Sequence, residues 1–248
     1  MSQPYNPYAS PQTMPLAPPS PGAPGAPVPW AIGEVFTLAW ARFKLNASVP
    51  VVAFLIYTLL TQSLGQGPVL LMRALSPGLD KTAIGALVQF VALVGTMGVG
   101  AFLMPGFMRI VLAVARGRQA DLGTLFGGGD RFLAMLGLQV SMLFVVGLGF
   151  LLLIVPGIIV ALGFSYAQFF VVDANLGPFE AMRASWAATR GQRGRIFGFG
   201  FVGLGVIFLG MLALIVGVIP AAAVIYIAWA IAYTRASGRE PAMPDTAR

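Results

Sequence analysis

The groups in this chain that could do chemistry are carboxylates, amides, serines and arginines, because it contains no histidine and no cysteine. That removes imidazole bases, thiolate nucleophiles, disulfides and the usual zinc or haem ligands together. The eight carboxylates are Glu34, Asp80, Asp121, Asp130, Asp173, Glu180, Glu240 and Asp245. None falls in the middle of a long apolar run, where a proton or cation relay would need one. Ser141 and Ser165 do lie in such runs, but they have no histidine base and no carboxylate pair at that depth, so no hydrolytic site forms. Gln89, Gln139 and Gln168 fall one in each of three successive apolar runs. They could line a polar interior for a neutral solute, the basis of a transport alternative; hydrogen bonding between helices in lipid is the commoner use of such residues. The motif GFGFVG at Gly198–Gly203 has dinucleotide spacing but lies in an apolar run with no preceding strand, so close helix packing explains it better. GGGDR at Gly127–Arg131 lacks the lysine and serine of a phosphate loop and reads as a flexible approach to a helix. No catalytic, cofactor or metal site is expected.

The most polar passage is LGPFEAMRASWAATRGQRGRIF, Leu176–Phe197, which holds four of the fifteen basic residues. Gly177, Pro178 and Glu180 read as N-cap, first helical position and acidic first turn, and Gly191 as a stop. The spacing predicts a helix from Pro178 to Arg190 with Phe179, Met182 and Trp186 on one face, Arg183 and Arg190 flanking it, and alanines opposite. Tryptophan beside arginine at the edge of an apolar run suits a helix lying among lipid headgroups. The expected headgroup contacts are Trp40, Arg42, Lys44, Arg183, Trp186, Arg190, Arg193 and Arg195. Asp173 and Glu180 are expected to pair with nearby arginines and fix the geometry of this collar.

The elements that must position these residues follow from composition. The chain is 58% hydrophobic and 9% charged, with a mean hydropathy of +0.85, which is the profile of a chain solvated by lipid. A bilayer core of ~30 Å takes about 20 helical residues. Residues 47–64 make one span, and 83–104 a second that ends at Pro105 and Gly106. Residues 137–172 carry no formal charge and as one helix would measure roughly 54 Å, too long for one crossing; VPG at Val155–Gly157 divides them. GVIP at Gly217–Pro220 divides 196–234 in the same way. The prediction is an all-α polytopic membrane protein with six transmembrane helices in three hairpins and short cytoplasmic interfacial helices. The charges test this count independently. With both termini cytoplasmic, 13 of the 15 Lys and Arg fall inside and only Arg73 and Lys81 outside. The net charge of +7 is therefore assigned to the surface of a cell membrane rather than to nucleic acid.

The first 29 residues contain ten prolines and no charge, so residues 1–29 are expected to form a disordered cytoplasmic tail. They lack the pattern of a signal peptide. Ligands for a proline-binding protein partner are conceivable there; a solvated tail is the simpler reading. Residues 30–236 form the six-helix membrane domain, and residues 237–248 a short cytoplasmic tail.

Internal similarity is visible. Glu34, Trp40 and Lys44 have the spacing of Glu180, Trp186 and Arg190, each set preceding a span on the same side, and Asp121–Phe132 occupies the equivalent place before the third span. Duplication and shared interfacial physics both account for it.

The segments PWAIGEVFTLAWARFKLN, ARGRQADLGTLF and VPGIIVALGFSYAQFFVVDANLGPFEAMRASWAATRG resemble bacterial membrane proteins of the glycerophosphoryl diester phosphodiesterase membrane domain type and related families of unknown function. The resemblance covers most of 30–233, and its most specific part is the turn, Asp173 and the GPFEAMRASW helix together. It implies a membrane module. The soluble phosphodiesterase domain of that family has no counterpart in the roughly 14 residues after the last span, so no phosphodiesterase activity is expected and no catalytic residue is carried over. The expectation is a non-enzymatic membrane protein, lipid-interacting or membrane-organising through its basic collar, with anionic phospholipid headgroups as partners.

Overall fold

The computed structural model of the chain describes residues 27–212 and 217–239. Most of the proline-rich tail and residues 240–248 of the C-terminal tail, both predicted above, lie outside the described residues. Among the described residues the chain is helical and contains no strand. Helix α1 (Ile32–Leu45) leads into α2 (Ser48–Leu75), and a short 3-10 turn at Leu79–Lys81 precedes α3 (Ala83–Ala115). A 3-10 segment, Leu122–Arg131, runs into α4 (Phe132–Leu152), followed by α5 (Ile154–Gly163) and α6 (Ala167–Asp173). The chain closes with α7 (Pro178–Thr189), α8 (Arg193–Leu212) and α9 (Val218–Ala236). Six stretches are long and apolar enough to cross a membrane: α2, α3, the 3-10 segment with α4, α5 with α6, α8, and α9. Successive stretches pack as hairpins, α2 on α3, α4 on α5 and α8 on α9. The protein is an all-α multi-pass membrane protein.

Three boundaries differ from the sequence reading, each for a physical reason. Pro105 and Gly106 do not end the second span, because α3 continues through them for 33 residues in all. A proline inside a membrane helix is tolerated where neighbouring protein covers the loosened backbone, and the 3-10 segment does so here. A Cβ on Gly106 would collide with the Leu125 carbonyl, and one on Gly128 with the Phe102 carbonyl. GGGDR is therefore a packed backbone contact, not a flexible approach. The turn between α4 and α5 falls at Leu153, which is extended (φ −164°, ψ 151°); Pro156 sits just after it, in the first turn of α5, where its missing N–H leaves no bond unmade. Finally, the fourth span is not one helix: it breaks between Gly163 and Ala167.

The core lies at one end of the bundle. On α3 every residue from Gly100 to Ala115 is buried except Phe102, Arg109 and Ala113, whereas from Ala83 to Val99 only Gly85 and Ala92 are. At 33 residues α3 is roughly 50 Å long, well beyond a ~30 Å bilayer core. Protein covers what lipid cannot reach, since α9, α1, α6 and the 3-10 segment enclose the half of α3 that ends in arginines. Phe107 packs among Phe54, Tyr57 and Tyr226, with ring centroids 5.0–6.0 Å apart. Phe199 meets Trp30, Phe36 and Trp229. At the other end Leu71, Phe90, Phe144 and Leu209 are each more than 60% exposed, a surface that hydrocarbon accepts and water penalises by about 25 cal/mol per Å². The Val28 N–H donates to the Arg235 carbonyl at 3.0 Å, so the two described ends of the chain lie together at one end of the bundle, on the same side as an even number of crossings requires.

Candidate functional site

The conspicuous polar passage builds α7 much as its caps imply. Gly177 is extended at the N-cap, Pro178 begins the helix, and Glu180 Oε2 accepts the Gly177 N–H at 3.3 Å. Arg190 is extended, and Gly191 turns the chain with φ +79°. The buried face is not the predicted one. Ala181, Met182, Ser185 and Thr189 are buried, while Phe179 is 74% exposed. Phe179 therefore does not join Met182 on the packed face.

The reason lies in the broken fourth span. Interrupting a helix in an apolar setting frees backbone groups that must find partners. Ser185 Oγ supplies two: it donates to the Gly163 carbonyl at 2.8 Å and accepts the Tyr166 N–H at 3.1 Å. Thr189 Oγ1 lies 3.2 Å from the same carbonyl and 3.2 Å from the Trp186 carbonyl of its own helix, and its one proton serves either. Gly163 also has no side chain where the Trp186 ring lies, so the indole covers its backbone and sits 5.5 Å from the Phe164 ring. The Arg193 guanidinium stacks over Trp186, 3.9 Å from the ring centre. Helix α7 is thus a clasp on a discontinuous span. Sequence reasoning missed Ser185 and Thr189, although hydroxyls four residues apart on a helix otherwise rich in alanine were the available signal.

The similar motif in α1 is used differently. Trp40 is 52% exposed and stacks on Phe43, while Val35, Ala39 and Phe43 are buried. Arg42 lies against Gly117, which has φ +71°, and Lys44 is exposed. Glu34 pairs with Arg235 at 2.8 Å, whereas Glu180 only caps its own helix and has no ion pair among the described residues. Pairing with a collar arginine, as expected for Glu180, does not occur. Asp173 does pair, with Arg116 at 2.7 Å and Arg239 at 3.9 Å, and it accepts the Tyr233 hydroxyl at 3.0 Å. Its partners stand at the ends of α3 and α9 rather than in the collar.

The collar cations are left without counter-charges. Among the described residues Arg42, Lys44, Arg183, Arg190, Arg193 and Arg195 have no carboxylate partner, whereas Arg73, Arg109, Arg116, Arg131, Arg235 and Arg239 each have one. Between the end of α7 and the start of α8, Trp186, Arg190, Gly191, Arg193 and Gly194 line a cavity of about 420 Å³. Arg193 Nε is buried there without a partner among the described residues, and so is Oε1 of the adjacent Gln192. The first N–H groups of α8 open at the same place, where a helix favours negative charge.

The chain matches no protein-family model, no curated protein and no solved structure. What the arrangement can do follows from its own groups. Guanidinium groups, a helix N-terminus and an indole attract a phosphate or carboxylate. They offer no general base. Ser165 Oγ is buried and has no hydrogen-bond partner among the described residues. The three glutamines are not brought together: Gln139 lies beside Gly100 of α3, while Gln89 is exposed eleven residues earlier on that helix, roughly 16 Å away. Gln168 is half-buried on α6.

Proposed function

We propose that the protein is a non-enzymatic, multi-pass protein of the cell membrane whose basic end is cytoplasmic and binds anionic lipid headgroups. The observation that carries this reading is the cavity at Trp186, Arg190 and Arg193, where stacked and unpaired guanidinium groups stand with no carboxylate beside them. Anionic lipids of the cytoplasmic leaflet attract such groups by about 1 kcal/mol each. The excess of Lys and Arg at one end supports the orientation. The resemblance of the GPFEAMRASW segment to the membrane domain named above points toward lipids as well.

Native mass spectrometry of the purified full chain tests the proposal, by comparison with the variant carrying Arg183→Gln, Arg190→Gln, Arg193→Gln and Arg195→Gln. Four contributions of ~1 kcal/mol, if additive, weaken retention of an anionic lipid by roughly a thousandfold. Retention of the same anionic lipid by a folded variant would refute the reading.

A further inference from the structure

A second basic site is built from α3, apart from the Trp186 cavity. Arg109 and Arg116 are seven residues apart, two helical turns, and so share a face. Gly117, with φ +71°, then turns the chain so that Arg118 returns to the same place. The three arginines, with Leu112, Val172 and Asp173, line a cavity of about 140 Å³. At ~30 Å³ per water in the liquid, that cleft has room for a small tetrahedral group with one or two waters.

The charges in this cavity are unequal. Asp173 accepts from Arg116 at 2.7 Å, and its other oxygen is taken by Tyr233 at 3.0 Å, with Arg239 further off at 3.9 Å. Asp130 answers Arg109 from outside the cavity, and the Gly127 carbonyl holds that arginine too. Arg118 has neither an ion pair nor a side-chain hydrogen bond among the described residues, and Arg42, against Gly117, has no carboxylate either. Asp121, the nearest acid along the chain, is exposed and has no ion pair among the described residues. Arg116 has five donors and spends one contact on Asp173, so most of its fork remains available. A carboxylate anchored by a tyrosine hydroxyl therefore holds one guanidinium in place beside a second, exposed one that has no partner among the described residues.

We propose that this cavity binds a phosphate group, held by Arg116 and Arg118 with Arg109 at its rim. The fork geometry of two guanidinium groups fits the several oxygens of a phosphate monoester or of inorganic phosphate better than a single carboxylate. The source is either a soluble phosphate or the headgroup of a monoester lipid in the adjoining leaflet. The site does not depend on lipid at Trp186.

The test uses the full chain in phosphatidylcholine nanodiscs, with two probes: radiolabelled inorganic phosphate by equilibrium dialysis, and phosphatidic acid doped into the discs and read by native mass spectrometry. Arg118→Gln removes a side chain that pairs with nothing, and is expected to weaken binding ten- to a hundredfold, the loss of a charged hydrogen-bonding group. The Lys81→Gln variant, an exposed cation at the opposite end of the bundle and part of neither cavity, should bind both probes within twofold of the parent. Retention of phosphate alone that is lost in Arg118→Gln assigns a soluble ligand, and retention of phosphatidic acid alone that is lost in Arg118→Gln a lipid; either supports the site. As a check independent of any variant, the bound probe should raise the unfolding temperature of the unaltered chain above that in chloride of equal ionic strength. If the unaltered chain binds neither probe at millimolar concentration, or if Arg118→Gln binds as tightly as the parent, the proposal is wrong.

Discussion

Ser185→Ala isolates the clasp between α7 and the broken fourth span. The substitution keeps helix propensity and removes one oxygen. The Tyr166 N–H then has no acceptor, while the Gly163 carbonyl still has the Thr189 hydroxyl 3.2 Å away as a donor. One buried backbone donor left unsatisfied costs about 1–3 kcal/mol, toward the lower end if lipid-exposed conformers of the unfolded chain find other partners. Thr189→Ala alone should cost less, about 0.5–1 kcal/mol, because Ser185 still holds the carbonyl. The double variant leaves both backbone groups bare and should exceed the sum of the single losses, which marks a shared acceptor. Denaturant unfolding in mild detergent, followed by tryptophan emission, reads these energies, since Trp186 covers Gly163 only while the clasp is closed. Additive losses, or a Ser185→Ala variant as stable as the parent, would refute the view that α7 satisfies the break.

Other perturbations separate neighbouring features. In the cysteine-free chain, a cysteine at Ser76 should react with an impermeant maleimide on intact cells and one at Asn175 or Ser237 only after permeabilisation; labelling of Asn175 from outside would overturn the proposed orientation. Gly128→Ala drives a Cβ into the Phe102 carbonyl and should cost at least ~2 kcal/mol in the same unfolding assay, whereas Gly127→Ala, whose nearest neighbour is an arginine tip 3.9 Å away, should be nearly neutral. Asp173→Asn leaves Arg116 largely buried without its counter-charge and should cost about 3 kcal/mol; Asp130→Asn, at a side chain 53% exposed, should cost under ~1 kcal/mol.

Much of the architecture was legible in the sequence because lipid imposes a length on every crossing. Uncharged runs too long for one helix, divided at VPG and GVIP, led to three hairpins; the α4–α5 turn falls at Leu153, just before VPG, and α9 begins at Val218, within GVIP. The caps of α7 were legible for a similar reason, since Gly177, Pro178 and Glu180 act on their own backbone. Pro105 misled, because a rule about an isolated helix does not know that the 3-10 segment lies against it. The matching spacing of Glu34, Trp40 and Lys44 with Glu180, Trp186 and Arg190 also promised more than it held, as Trp40 faces outward and Trp186 lies on Gly163.

The sequence by itself determined the solvent, the number of crossings and the end at which the cations gather, since each depends on composition and on distances along one helix. Tertiary structure alone decided which cations are neutralised. Asp173 could have served any nearby arginine, and the meeting of α3, α6 and α9 assigned it to Arg116 and Arg239. It also decided that the fourth span could break, because the two backbone groups exposed at Gly163 and Tyr166 are stable only where Ser185 from another helix reaches both. Contacts between distant segments set charge balance and backbone satisfaction, and no local pattern encodes which segments will meet.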